Sequence, residues 1–185
     1  MGKVIAALIL RLLGWSTVLS PAPARKTVII FYPHTSNWDF PLGVLFRAKH
    51  QLQARWAGKD TLFRWPFRAL FIALGGIPIN RRIPTGVVGQ LVAEFDKNDD
   101  FSICLAPEGT RSKTAYLKSG FYRLAIEADV PVGLAFVDYR RKQIGIEHWI
   151  TLSGNEAADL ETIRACYADK TALFPEKVSD IRFKR

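Results

Sequence analysis

The stretch TVIIFYPHTSNWDF, residues 27–40, joins a short apolar run to a polar segment and a second apolar element. Its first six residues are β-branched or aromatic, a composition typical of a short buried strand. Asp39 lies where an acidic side chain suits the first turn of a helix, which we expect over residues 39–52. A strand that leads directly into a helix is typical of an α/β fold.

The same alternation continues along the chain. Apolar residues between 87 and 95 recur with a 3.6-residue period, which predicts a helix that opens at Pro84. We therefore expect an α/β fold: a single domain with a mostly parallel sheet flanked by helices. The other predicted elements are helices over 61–74, 119–128 and 156–172, and strands over 77–79, 101–106, 131–138 and 143–149.

His34 and Asp39 follow the first predicted strand and are five positions apart. A neutral imidazole can accept a proton from a hydroxyl, and a carboxylate bound to its other nitrogen fixes the tautomer. The spacing allows such a pair if the chain turns from strand into helix between them. The alternative is that His34 is a loop residue and Asp39 a helix-start residue that do not act together. This alternative stays open because the pattern fixes only two positions.

A second polar group lies in the loop APEGTR, residues 106–111. Arg111 supplies a bidentate cation, and Thr110 with the backbone of Gly109 supplies neutral donors, a set that can hold a phosphate monoester. Glu108 would repel phosphate, so we expect it to hold an arginine or to bond a substrate hydroxyl. An ordinary turn with a surface ion pair is the alternative.

Arg81 is a further candidate cation, because it follows the apolar piece GGIPI (75–79). A solvated basic turn explains it equally well. Ligands of parallel sheets collect outside the carboxyl ends of the strands. Since His34 and Glu108 both follow predicted strands, the two polar groups can face one crevice.

Composition limits the classes of partner. The 185-residue chain has 49% hydrophobic residues and a formal net charge of +9, which favours nucleic acid, phosphate-bearing metabolites or an anionic membrane surface. Cys104 and Cys166 form no CxxC pair, so we expect no metal site and no disulfide framework. No nucleic-acid-binding motif is present, so we expect no nucleic-acid partner, and a basic nucleic-acid-binding module is the more distant alternative.

The N-terminal residues 4–19 are almost wholly apolar apart from Arg11. As one helix they would extend roughly 24 Å, less than the roughly 30 Å of a hydrocarbon core. We expect a membrane-contacting helix within residues 1–20, lying in the plane of the bilayer, with the rest of the domain over 25–185. A core-packed helix, a membrane span and a signal peptide are the alternatives.

Taken in order, these motifs resemble those of the glycerolipid, or lysophospholipid, acyltransferase superfamily, which includes bacterial 1-acylglycerol-3-phosphate acyltransferases. PHTSNWD matches the block NHxSxxD except at Pro33, and APEGTRS matches FPEGTRS except at Ala106. VPV (130–132) matches the start of a last block, in which Gly133 replaces the usual proline. A pattern G-x-I-x-I-x-R is matched by Gly75, Ile77, Ile79 and Arg81.

The resemblance implies transfer of a fatty acyl group from acyl-CoA or acyl carrier protein, as co-substrate, to a free lipid hydroxyl, without a cofactor. It implies that His34 is the general base and that Asp39 orients it. The residues that it implies for holding the glycerol phosphate of the acceptor are Arg81, Glu108, Gly109, Thr110 and Arg111.

The acceptor that the resemblance implies first is 1-acylglycerol-3-phosphate, in phospholipid biosynthesis. The protein would then act at the cytoplasmic face of the inner membrane, as a peripheral or monotopic protein, with residues 25–185 as the acyltransferase domain. The departures at Pro33, Ala106 and Gly133 leave another lipid acceptor open, such as a lyso-ornithine lipid or a headgroup-bearing lysophospholipid.

Overall fold

A computed structural model describes residues 2–80 and 86–184. In these residues seven strands form one sheet in the order β1-β7-β6-β2-β5-β3-β4. Every neighbouring pair is parallel except β6–β7, which confirms the expected α/β fold with a mostly parallel sheet. The strands are β1 (Ser16–Leu19), β2 (Lys26–Phe31), β3 (Ala54–Lys59), β4 (Gly76–Ile79), β5 (Phe101–Leu105), β6 (Val132–Asp138) and β7 (Gln143–Ile150).

Helices cover both faces of this sheet. The alternating side chains of β2 show the two layers: Val28 and Ile30 belong to one hydrophobic core, and Ile29 belongs to the other. The Ile29 face carries α1 (Gly2–Leu12), α2 (Asp39–His50) and α3 (Arg68–Ala73). The opposite face carries α4 (Gly86–Lys97), α5 (Gly120–Glu127) and α6 (Glu156–Tyr167).

The N-terminal helix is shorter than the apolar run predicted. α1 ends at Leu12, and residues 16–19 form β1, which pairs in parallel with β7. Gly14 adopts a φ of 76°, and the N–H of Trp15 donates to the carbonyl of Leu10 at 2.8 Å. This is a Schellman stop, in which a glycine in the left-handed region closes the last helical turn.

Other predicted elements differ at their ends. The helix expected over 61–74 is a 3-10 helix (Asp60–Leu62) followed by the short α3, and the last helix ends at Tyr167 rather than near 172. β3 was not predicted at all. The predicted helix start at Pro84 lies outside the described residues. None of the described helices has the length and apolar character needed to cross a bilayer.

Candidate active site

The end of β2 and the start of α2 bring two polar side chains together. His34 Nδ1 lies 3.0 Å from Asp39 Oδ2. The Asp39 side chain is buried, whereas His34 keeps 17% of its side-chain surface exposed. The expected pair is thus in contact at the carboxyl edge of the sheet, and one member can be reached by a ligand.

Asp39 accepts hydrogen bonds from several donors. Besides His34, Oδ2 accepts the backbone N–H of Thr35 at 3.0 Å and of Ser36 at 2.9 Å. An oxygen that accepts from amides has no proton to give, so Nδ1 of His34 carries the hydrogen of the shared bond. Nε2 then keeps its lone pair, and this nitrogen can take a proton from a ligand hydroxyl.

Tyr139 is a third member of this group, and sequence analysis missed it. Its hydroxyl donates to Asp39 Oδ1 at 2.6 Å, and its ring packs edge-on against Trp15 with 5.2 Å between centroids. Burial, and then the hydrogen bond to Asp39, raise the pKa of Tyr139, so the hydroxyl keeps its proton. Since Tyr139 directly follows β6, a hundred positions from Asp39, no local pattern indicates this contact.

Glu108 connects the loop after β5 to the segment that carries His34. Its Oε2 accepts the backbone N–H of His34 at 2.6 Å, and its Oε1 accepts that of Ser179 at 3.3 Å. Burial raises the pKa of Glu108, while the hydrogen bond from the His34 amide opposes this shift. Glu108 is 1% exposed, and its carboxyl group holds the backbone of His34 and Ser179 in place. Its expected contact with a substrate stays a prediction.

Ser179 shows that the C-terminal tail takes part in this arrangement. Besides its amide bond to Glu108, its hydroxyl accepts the N–H of Thr114 at 3.0 Å. Its carbonyl accepts from the hydroxyl of Tyr32 at 2.6 Å. The tail thus braces the loop after β5 against the end of β2, a contact that only the folded chain reveals.

The rest of the loop after β5 presents its groups outward. Gly109 has a φ of 65°, a left-handed conformation that residues with a Cβ adopt only with strain, so the backbone there favours glycine. Thr110 and Arg111 are exposed, as is Lys118. Lys118 was not among the site residues predicted from the sequence.

One cavity of about 910 Å³ joins the two polar groups. His34 and Asp39 line it, and so do Gly109, Thr110 and Arg111, whereas Glu108 is not among the lining residues. From there the cavity extends between α2 and β3, where its lining is mainly apolar. The apolar lining includes Phe31, Phe46, Leu52, Trp56, Phe71 and Leu74.

Some candidate groups remain outside this geometry. Arg81 lies outside the described residues, so its expected role stays a prediction. Burial raises the pKa of Cys104, in the cavity wall, to about 12, and a thiol that keeps its proton is a poor nucleophile. Within residues 2–80 and 86–184, no three His, Cys, Asp or Glu side chains are grouped to hold a metal ion.

Comparison with known proteins adds one finding. The model of the family described as Acyltransferase matches residues 17–133, which is more than half of the chain. The matched range contains both polar groups of the cavity and the strands β2 and β5 that precede them. A comparison with curated proteins gives no match.

Proposed function

Since the chain belongs to the acyltransferase family, within the glycerolipid superfamily that its motifs resemble, we propose that it transfers a fatty acyl group from a thioester to a lysophospholipid hydroxyl. The proposed acceptor is 1-acylglycerol-3-phosphate, and the proposed donor is acyl-CoA or acyl carrier protein. The observation that carries the proposal is the 3.0 Å contact of His34 with Asp39 in the wall of a cavity that Arg111 also lines.

His34 is the proposed general base. Nε2 takes the proton of the acceptor hydroxyl while the hydroxyl oxygen attacks the thioester carbonyl carbon, and such a base contributes about 10²–10⁴ in rate. As the new C–O bond forms and the C–S bond breaks, the proton passes from Nε2 to the departing thiolate. Asp39 holds the ring through Nδ1 and stabilises its transient positive charge. No acyl-enzyme is required, in keeping with the raised pKa of the Cys104 thiol.

Arg111 and Lys118 are the proposed contacts of the acceptor phosphate. Both are exposed and both line the cavity with His34, so one ligand can reach the base and the cations together. Arg111 offers a planar fork and Lys118 a compact charge. Arg81 is proposed as a further cation, as the motif implies.

The apolar part of the cavity is the proposed site of the fatty acyl chain. Ligand cavities of a few hundred to a thousand cubic ångströms are typically apolar, with few polar groups to orient the ligand. Here the polar groups lie at the carboxyl edge of the sheet, and the apolar lining continues along α2 towards Leu52 and Leu74. The thioester carbon would thus lie beside His34 with the chain beyond it.

We also propose peripheral or monotopic attachment to the cytoplasmic face of the inner membrane. α1 packs inward through Ala6 and Leu10, and Nζ of Lys142 donates to the carbonyl of Leu13 at 3.4 Å. Apolar side chains with cations beside them suit an anionic leaflet. The outward apolar residues of this N-terminal region are Val4, Ile5, Leu8, Ile9, Leu12 and Leu13.

Thiol release tests the proposed reaction. Palmitoyl-CoA and palmitoyl carrier protein are each offered with lysophosphatidate, a lyso-ornithine lipid and a headgroup-bearing lysophospholipid. We expect the fastest release with lysophosphatidate, with the acyl group recovered on its free hydroxyl. Absence of thiol release with all three acceptors would contradict acyl transfer, and preference for the phosphate-free acceptor would contradict the proposed acceptor.

Arg111→Lys tests the phosphate contact. The variant keeps the charge and loses the bidentate fork, so we expect kcat/KM for lysophosphatidate to fall about tenfold, which is about 1.4 kcal/mol. Rates with phosphate-free acceptors should stay within about twofold. Arg123→Lys, at an exposed position on α5 away from the cavity lining, is the control. An equal loss on both kinds of acceptor would contradict the assigned contact.

A further inference from the structure

Residues 60–73, which we call the aromatic segment, expose more large apolar side chains than is usual for a segment in contact with water. Trp65 is 92% exposed, the largest exposed fraction among the large hydrophobic residues described. Phe67 and Leu70 are also more than half exposed. Soluble proteins rarely expose contiguous apolar surface of this kind without a partner.

The aromatic segment is nevertheless fixed to the sheet. Phe63 is 3% exposed and stacks on Trp56 of β3 with 5.5 Å between centroids, and Phe71 packs edge-on against the same ring at 5.8 Å. A Cβ at Gly58 or Gly76 would lie within 3 Å of these rings, so the two glycines make room for them. Because the segment has its own buried anchors, its outward side chains are presented on a defined surface.

This surface adjoins the candidate active site. The segment begins where β3 ends, at the carboxyl edge of the sheet, and Leu62 and Phe71 line the cavity. Trp38, directly before α2, is 69% exposed at the same edge. α3 and α2 are in contact through Phe40 and Phe71, with 6.1 Å between centroids. The aromatic segment therefore contributes to the wall of the cavity that His34 also lines.

Cations accompany these aromatic residues. Lys59, Arg64 and Arg68 are exposed within or directly before the aromatic segment, and Asp60 is the single acidic residue of positions 54–73. The Asp60 side chain accepts the N–H of Thr61 at 2.9 Å, so it stabilises the local turn. The outward surface thus combines apolar bulk with positive charge, which complements the negative surface potential of an anionic leaflet.

We propose that the aromatic segment docks on an anionic lipid bilayer, with Trp65 and Phe67 in the interfacial region and Arg64 and Arg68 at the lipid headgroups. Trp and Phe beside basic residues form the composition that inserts at the bilayer interface. The bilayer would then adjoin the cavity, and a lipid could pass into it without crossing water. This use of the surface rests on the proposed lipid acyltransferase function, whereas binding to vesicles does not require turnover.

The apolar test removes the two most exposed aromatic residues of the aromatic segment. The full chain carrying Trp65→Ser and Phe67→Ser is sedimented with phosphatidylglycerol vesicles in the absence of substrate. We expect the partition coefficient to fall at least about tenfold relative to wild type. Ile126→Ser, an exposed apolar position on α5 on the opposite face of the sheet, should bind within about twofold of wild type. Circular dichroism and the melting temperature check that each variant is folded.

The charge test uses Arg64→Glu with Arg68→Glu. We expect about a tenfold loss on phosphatidylglycerol vesicles and less than a twofold change on phosphatidylcholine vesicles, because only the first carry net negative charge. Arg123→Glu is the matched control on α5. The loss should shrink as salt is raised, since exposed charges are screened.

Three results would overturn the proposal. If both double variants have the partition coefficient of the wild type, then either α1 alone binds the bilayer or the wild type itself binds no vesicles. A wild-type dimer that Trp65→Ser dissociates in sedimentation velocity would identify a second copy as the occupant. A loss confined to reactions with acyl carrier protein, with vesicle binding intact, would identify an acidic protein.

The activity of the double variants separates this proposal from the proposed function. Neither Trp65 nor Phe67 lines the cavity, so thiol release from a detergent-dispersed donor and acceptor should stay within about threefold of wild type. Loss of vesicle binding with that activity retained supports the docking surface. A wild-type chain that binds vesicles through Trp65 but transfers no acyl group would refute the enzyme function alone.

Discussion

At the scale of single residues, Tyr139→Phe isolates the hydrogen bond that the tyrosine donates to Asp39. Hydrogen bonds to charged groups contribute about 1.5–3 kcal/mol. We expect only part of this free energy to stabilise the transition state, so kcat should fall about tenfold. KM should change little, because Tyr139 is absent from the residues that line the cavity. Tyr116→Phe, at an exposed position, is the control. A loss of stability with kcat unchanged would contradict the positioning role.

Glu108 makes a residue-scale prediction about pH. Its folded-state pKa is raised above the ordinary value of 4.5, so ionisation costs the folded protein more than the unfolded chain. The stability that the neutral Glu108 side chain contributes is fully present below about pH 4.5. It is lost as the pH rises through the raised pKa. Glu108→Gln has no such ionisation. The amount by which its free energy of unfolding falls below that of the wild type, its deficit, should therefore shrink between pH 4 and 7.

Urea unfolding at four pH values in this range measures that deficit. Gln keeps an oxygen that can accept the N–H of His34, so we expect the variant to fold. A deficit that grows with pH would mean that the ionised carboxylate is the stabilised form, and would contradict the direction of the shift.

At the scale of elements, the β6–β7 pair explains one departure from the family motif. Gly133 of β6 pairs with Trp149 of β7, and a Cβ at Gly133 would lie 2.6 Å from a ring carbon of that tryptophan. We expect Gly133→Ala to destabilise the protein by about 1–3 kcal/mol because the ring must move. Gly43→Ala is the contrast, since a Cβ there meets nothing within 4 Å and alanine favours helix α2 by up to about 1 kcal/mol. Denaturant midpoints measure both, and equal shifts would contradict the packing argument.

Elements with a strong local signal were predictable, and those set by tertiary contacts were not. TVIIFY is apolar and β-branched enough to identify β2 within a residue or two. β3, with the sequence ARWAGK, has charged ends and no clear alternation, and it is a strand because β5 and β4 pair with it on both sides. The end of α1 depends on Gly14 in the left-handed region, which an apolar run does not reveal.

At the scale of the whole molecule, the sheet order decides which polar groups meet. β2 and β5 are direct neighbours, with Ile30 opposite Leu105, so the segments that follow them lie side by side. One crevice was predictable because both segments follow strands, whereas the adjacency of β2 and β5 was not. Tyr139 and Ser179 come from distant parts of the chain, and only the complete fold brings them to the site.

The most direct measurement of the central claim is acyl transfer by His34→Ala. The side chain is partly exposed and its removal leaves the bonds of Asp39 to Thr35, Ser36 and Tyr139, so we expect the variant to fold. With palmitoyl thioester and lysophosphatidate, kcat should fall by about 10²–10⁴ with the melting temperature within a few degrees of wild type. Transfer at the wild-type rate by a folded His34→Ala protein would contradict the account.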